Sequence, residues 1–169
     1  MCPPRRGGID RVDFGTGASG DFAAVMADRN VTIMSASSLS DDVDGVLSRG
    51  VFPLVMSSAM RFPFYDGIFD LVHTTKGLDE GGAEGMGLGK AEAMEFLMFD
   101  IDRVLRAGGF FWLDNYLCVD DERKRTVTRL IERFGYKKLK WVVGEKADSS
   151  GKGKAQVYLS AVLQKPARG

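Results

Sequence analysis

The sequence predicts a three-layer α/β fold with a mostly parallel sheet and a C-terminal antiparallel hairpin, and three observations carry that prediction. Short runs rich in β-branched and aromatic residues alternate with stretches of helical periodicity as far as Phe134. A glycine-rich turn, Gly15-Thr16-Gly17-Ala18-Ser19-Gly20, joins the first strand to the first helix. The chain closes on two consecutive strand-like runs, 137–144 and 155–164, separated only by a polar, glycine-containing connection, as in a hairpin.

Taken in order, residues 8–14 make the first strand and 20–28 the first helix, where Ala23, Ala24 and Met26 keep the helix slim against the sheet. Val31-Thr32-Ile33-Met34 reads as the second strand. A hydroxyl-rich turn over 35–40 leads through Ser40-Asp41-Asp42, good N-cap chemistry, into a short helix over 41–49. The third strand, 51–56, contains Pro53, which has no N–H for the ladder, so this strand belongs at a sheet edge. After a loop over 61–67, Ile68-Phe69-Asp70-Leu71-Val72-His73 is a short buried strand. The glycine-rich run 77–89 reads as a solvated loop rather than a lid over a site. Met94, Leu97, Met98, Ile101, Val104 and Leu105 share one face of a helix over 90–106, which Ala107-Gly108-Gly109 stops. Phe110-Phe111-Trp112-Leu113 forms the fifth strand and ends at Asp114-Asn115-Tyr116. An amphipathic helix over 120–134 is capped by Gly135, and in the next strand Leu139, Trp141 and Val143 alternate with Lys138, Lys140 and Val142.

Composition narrows the function. A chain of 169 residues suits one domain over 1–169, and 23 basic against 23 acidic residues leave no net charge to draw it to nucleic acid or an anionic membrane. Cys2 and Cys118 give neither a disulfide framework nor a metal-ligand spacing. No run approaches the roughly 20 apolar residues of a membrane span, and Met1-Cys2-Pro3-Pro4-Arg5-Arg6 lacks an apolar signal core. The expected compartment is cytoplasmic by default, or an endomembrane lumen such as the Golgi if a longer form carries an anchor. Asp100 and Asp102 beside Arg103 and Arg106 read as surface ion pairs. Arg123, Lys124, Arg125, Lys137, Lys138 and Lys140 read as a solvated face, and Trp112 and Trp141 as packing.

In doubly wound sheets ligands sit at the carboxyl ends of the strands, beside the point where strand order reverses. That rim gathers the Gly15 turn, Ser35, the run from Ser57 to Met60, His73 and Asp114. The turn itself reads two ways. Gly15, Gly17 and Gly20 fit the G-x-G-x-x-G of a dinucleotide site, whose pyrophosphate would rest on the helix N-terminus. Asp13-x-Gly15-x-Gly17 fits a site for S-adenosylmethionine, in which Asp13 orients a water or the amino group of the methionine moiety. His73, the only histidine, is either a general base or acceptor-orienting group, or a buried ring bonded to backbone. Asp114 and Asn115 either contact substrate or cap a turn.

Three ordered motifs turn this pattern into a resemblance that spans residues 9–164. Asp13-x-Gly15-x-Gly17, then Phe62-Pro63-Phe64-Tyr65-Asp66-Gly67-Ile68-Phe69-Asp70-Leu71-Val72-His73, then Asp102-Arg103-Val104-Leu105-Arg106-Ala107-Gly108-Gly109-Phe110 are similar to the signatures of class I S-adenosylmethionine-dependent methyltransferases of the type 11-like group. Phe-Pro-Phe-Tyr-Asp and the run Phe111-Trp112-Leu113-Asp114-Asn115 resemble plant methyltransferase-like proteins related to pectin methyltransferases. The resemblance implies a Rossmann-like sheet of about seven strands in the order 3-2-1-4-5-7-6, without the N-terminal helices of the family. It implies S-adenosyl-L-methionine as cofactor and a small-molecule or carbohydrate acceptor. Asp13, Gly15, Thr16, Gly17 and Ser19 would line its methionine side, with Ser19 at the motif's third glycine and Gly20 one place late. Ser35 stands where the family carries a ribose-binding acid, and Ser58 where it carries an adenine-binding acid. Ala59 and Met60 would cover the adenine, His73 would touch cofactor or acceptor, and Asp114 and Asn115 would face the acceptor. These two serines also leave room for a degenerate, non-catalytic module on the same fold.

Overall fold

The structure is a computed structural model that describes residues 11–14, 20–37, 43–56, 60–75, 78, 90–118, 121–146 and 156–167. In chain order the elements are β1 (Arg11–Phe14), α1 (Asp21–Asp28), β2 (Met34–Ser37), α2 (Val43–Ser48), β3 (Phe52–Val55), β4 (Phe69–Thr75), α3 (Lys90–Val104), β5 (Leu105–Cys118), α4 (Asp121–Arg133), β6 (Lys137–Lys146) and β7 (Gln156–Gln164). They build one seven-stranded sheet in the order β3-β2-β1-β4-β5-β7-β6. All pairings are parallel except those of β7, which runs antiparallel to both β5 and β6. The expected order and the terminal hairpin are both present, and Pro53 lies on the border strand as its missing N–H requires.

Two apolar clusters hold the layers. The larger joins Val12, Val72, Phe111, Leu113 and Leu163 of the sheet to Met94, Leu97, Met98 and Ile101 of α3 and Val127, Leu130 and Ile131 of α4. The smaller joins Ala23 of α1, Ile33, Val46 of α2 and Val51, with Ala24 and Met26 packed against it. The i, i+3, i+4 spacing of the α3 and α4 residues places them on a single stripe, so each helix buries one face against the strands. Among the described residues no helix is long and apolar enough to cross a membrane.

Several element boundaries differ from the sequence pattern, each for a local reason. The second strand starts at Met34, not Val31, because the end of α1 claims the intervening backbone. Asn30 turns left-handed at φ 60°, its N–H bonds Ala27, and the Val31 N–H reaches back to the Met26 carbonyl at 3.1 Å. Helix α3 stops at Val104, before the glycines, and β5 is already paired at Leu105 with Phe69. Lys165 fixes that stop: its ammonium donates to the carbonyls of Asp102 and Leu105, the latter at 2.7 Å, and so caps the helix C-terminus. Gly108 and Gly109 then exchange backbone hydrogen bonds with Lys165.

Two packing expectations are corrected. Asp100 and Asp102 are not surface groups: they are 5 % and 7 % exposed. Asp100 binds the Phe62 amide and Arg103, and Asp102 lies 3.7 Å from the Lys165 ammonium. On β6 the alternation does not bury one side, since Leu139, Val142 and Val143 are all exposed and only Trp141 packs on the core. On this outermost strand a register shift between Lys138 and Lys140 breaks the alternation. The N-cap run Ser40-Asp41-Asp42, the glycine-rich run 77–89 apart from Leu78, which is buried in the larger cluster, and the connection over 147–154 lie outside the described residues.

Candidate functional site

The register of the central strands assembles the site. Ser35 of β2 is level with Asp13 of β1, Asp13 with His73 of β4, and His73 with Trp112 of β5. Residues level with one another in parallel strands project to the same side of the sheet, so these four form one transverse row. The row runs on both sides of β1, the strand at which chain order reverses, and it lies near the carboxyl ends of β1, β2 and β4.

Within the row, Asp13 and His73 are a buried hydrogen-bonded pair. His73 Nδ1 lies 2.8 Å from Asp13 Oδ1, and the imidazole is only 2 % exposed. A carboxylate only accepts, so Nδ1 carries the hydrogen, and in the neutral ring Nε2 is the acceptor. Phe22 of α1 stacks on the imidazole with ring centroids 3.6 Å apart, and Trp112 meets it edge-on at 5.2 Å. Tautomer and ring plane are thus both held. Among the described residues, His73 Nε2 and the neighbouring Thr74 hydroxyl are buried without a hydrogen-bond partner. Leaving such a group unmet costs roughly 1–3 kcal/mol, so a polar partner at His73 Nε2 would stabilise its face of the sheet, whereas Thr74, next along β4, projects from the opposite face.

The neighbouring candidates behave differently. Ser35 is buried beside Asp13. Met60 is exposed, two residues before the buried Phe62. Asp114 and Asn115 sit at an irregularity in β5, where Asn115 adopts φ 51°. Ser160 donates its hydroxyl hydrogen to Asp114 Oδ1 at 2.9 Å and accepts the Asn115 N–H at 3.0 Å, so both residues hold the strand bend. Gly15, Thr16, Gly17, Ser19, Ser58 and Ala59 lie outside the described residues. Gly20 immediately precedes α1 at φ 61°, a left-handed conformation that residues with a side chain rarely adopt, and a Cβ there would press on a methyl of Val46 at 3.0 Å.

Sequence patterning missed the Asp13–His73 bond and the two rings around it. His73 is buried, but its Nδ1 partner is a carboxylate 60 residues away and not the backbone. The signal that finds the pair is register: once β1 and β4 are neighbours, Asp13 and His73 are level. A second polar cluster lies where α3 runs into β5, at the amino ends of β4 and β5. Arg103 of α3 donates to Asp100, to the carbonyls of Phe62 and Phe64, and to Asp66. Burial opposes its charge, but the hydrogen bonds to Asp100 and Asp66 outweigh that and hold the guanidinium above its ordinary value.

Comparison with known proteins bears on the family and the fold. Residues 7–166 match the family model described as "Putative S-adenosyl-L-methionine-dependent methyltransferase". The chain is 36% identical over 157 residues to "Probable methyltransferase At1g29790" of Arabidopsis thaliana, a match that takes in 92% of this chain but 39% of that protein. It therefore spans about two fifths of the length of this relative. Among solved structures, a SAM-dependent methyltransferase of Methanosarcina mazei superposes with a TM-score of 0.72 at 12% identity, covering 94% of this chain and 93% of that one. The N-methyltransferase NodS of Bradyrhizobium japonicum, solved with S-adenosyl-L-homocysteine, superposes with a TM-score of 0.66 at 14% identity over 95% and 80% of the two chains. At such identities these two likenesses speak for the fold alone.

Proposed function

The chain belongs to the family of S-adenosyl-L-methionine-dependent methyltransferases, and from that premise we propose that it binds S-adenosyl-L-methionine at the carboxyl ends of β1, β2 and β4 and methylates a small-molecule or carbohydrate acceptor. The observation that carries this reading is the row Ser35, Asp13, His73 across the strand-order reversal. The backbone turn after Asp13, with Gly15, Thr16, Gly17 and Ser19, is assigned to the methionine moiety, Ser35 to the ribose, and Ser58, Ala59 and Met60 to the adenine. A hydroxyl at Ser35 and at Ser58 replaces a charged acceptor with a neutral one, which lowers affinity by a factor on the order of 100.

When bound, S-adenosyl-L-methionine supplies a methyl group on a positively charged sulfur, and the reactivity is the cofactor's own. The chain has to orient the acceptor and take its proton. His73 is assigned that second task. Its Nδ1–H is held by Asp13, its Nε2 meets no partner among the described residues, and the nearby carboxylate stabilises the imidazolium that forms when a hydroxyl or amine gives up its proton. Asp114 and Asn115 are assigned to the acceptor side of the rim, and the domain is assigned to 1–169.

Calorimetric titration with S-adenosyl-L-homocysteine tests the binding claim: a dissociation constant below about 100 μM supports it, and silence at millimolar ligand refutes it. Replacing His73 by Gln and finding turnover of an identified acceptor unchanged refutes the proton-transfer role. One observation favours a second reading, a non-catalytic module on this fold. The Asp13 carboxylate is already occupied by His73, and Ser35 offers no charge to a ribose.

A further inference from the structure

Helix α1 meets the central strands through one ring. Phe22, the second residue of α1, lies flat on the His73 imidazole, with ring centroids 3.6 Å apart and planes inclined by 18°. Trp112 meets both rings edge-on, at 5.3 Å from Phe22 and 5.2 Å from His73, with interplanar angles of 85° and 79°. Each of the three rings therefore touches the other two. The turn that carries Phe22 is itself fastened. The Ala24 N–H donates to the Gly20 carbonyl at 2.9 Å, Asp21 pairs with Arg49, and Phe22 packs against the cluster of Ala23, Ile33, Val46 and Val51. To the imidazole, Phe22 is a fixed wall.

We infer that Phe22 is a positioning residue for methyl transfer: its ring fixes the direction in which His73 Nε2 points and favours the imidazolium once a proton has arrived. The inference rests on the proposed function, which gives His73 the acceptor's proton. Asp13 holds the imidazole at one atom only, Nδ1. A ring held at one atom can still swing its far nitrogen about that atom, and a misplacement of about 1 Å costs on the order of 100-fold in rate. Two aromatic contacts of different orientation, a face from Phe22 and an edge from Trp112, leave the imidazole a single plane. The second effect is electrostatic. The face of a phenylalanine ring carries negative charge density, so an imidazolium stacked on it at 3.6 Å is attracted more strongly than the neutral ring. An interaction that strengthens as the proton arrives acts on the chemical step. Phe22 works from above the ring and Asp13 in its plane, and on this account Phe22 acts through His73 and not on cofactor affinity.

The test uses the purified full chain carrying isotope-labelled histidine. His73 is the only histidine, so the imidazole region of the magnetic resonance spectrum contains a single ring. In the wild type the neutral ring is one tautomer: Nε2 resonates as an unprotonated nitrogen, and the Nδ1 hydrogen exchanges slowly with water. Phe22→Leu keeps an apolar side chain but has no flat face. Its two nitrogen resonances move toward one another and its Nδ1 hydrogen exchanges about 2–10-fold faster, the equilibrium equivalent of one aromatic contact. Phe22→Tyr restores both signals, and Phe99→Leu, which removes a ring pair on α3, changes neither. Should Phe22→Leu fail to fold by circular dichroism, Phe22→Met replaces it, an unbranched side chain without a ring face, with the same expected direction. S-adenosyl-L-homocysteine, titrated by calorimetry, binds wild type and Phe22→Leu within about twofold of one another. A folded Phe22→Leu chain with wild-type imidazole signals, or one that loses ligand affinity instead, overturns the inference while leaving the cofactor reading standing. A wild-type chain silent at millimolar S-adenosyl-L-homocysteine overturns the cofactor reading, and this inference with it.

Discussion

Replacing His73 by Phe separates the hydrogen bond at the centre of the sheet from the ring packing around it. Phenylalanine retains a ring to stack on Phe22, an aromatic contact worth about 0.5–1.5 kcal/mol, and deletes the nitrogen that donates to Asp13. A hydrogen bond to a charged, buried acceptor contributes about 1.5–3 kcal/mol, and its removal also strands the Asp13 carboxylate. The expected loss is therefore about 2–3 kcal/mol, survivable for a domain whose total stability is on the order of 5–15 kcal/mol. Asp13→Asn keeps an oxygen for the Nδ1–H and gives up only the charge, for a loss of about 1 kcal/mol. In the double variant no charge is stranded, so its loss falls short of the sum of the singles by about 1–2 kcal/mol. Urea unfolding followed by circular dichroism measures all four chains, with a common denaturant slope confirming that the comparison is like for like. Single and double variants that add within about 0.5 kcal/mol would show that Asp13 and His73 do not interact as drawn.

Other substitutions test other links. Gly109→Ala should be costlier than Gly108→Ala, although only Gly108 has a left-handed φ of 77°. A Cβ at Gly109 would stand 2.9 Å from the Arg106 carbonyl oxygen and 3.2 Å from that of Asp70, whereas at Gly108 nothing lies within 4 Å. Thermal melts should place the first variant below the second, and the reverse order refutes the reasoning. Lys165→Met removes the cap from the end of α3 and should cost about 1–2 kcal/mol, with faster amide exchange in the last turn of that helix as the local sign. Ile131→Ala should cost about 2–5 kcal/mol and Leu139→Ala less than about 0.5 kcal/mol, because Ile131 is fully buried and Leu139 lies open on the border strand. Arg103 has its folded-state value raised, so its contribution is complete at every pH below the ordinary guanidinium value and is lost only above it. The stability difference between wild type and Arg103→Lys should accordingly stay flat over roughly pH 6 to 9, and a slope in that window would point to a different titrating group.

Periodicity and turn chemistry were enough for the element order, the border position of β3 through Pro53 and the terminal hairpin, because each follows from local backbone preference. The motif residues Asp13, Ser35 and His73 were likewise readable as rim residues, since each stands near the end of a predicted strand. Element ends were less readable. Val31 belonged to a helix cap and Leu105 to a strand, in one case because Asn30 turned left-handed and in the other because Lys165 arrived from the far end of the chain. Long-range partners cannot be read from neighbours in sequence.

The linear order of residues determined which groups would line the rim: an aspartate before a glycine-rich turn, a serine in place of a second acid, a lone histidine. Only the assembled sheet decided what those groups do to one another. Parallel pairing brings strands 60 residues apart in the chain to about 4.8 Å, and there a carboxylate and an imidazole that share no local pattern become a bonded pair. The same close packing takes Asp100 out of water and turns an apparent surface charge into the anchor of a loop. Burial and register are properties of the whole chain, and the chemistry of this site depends on both.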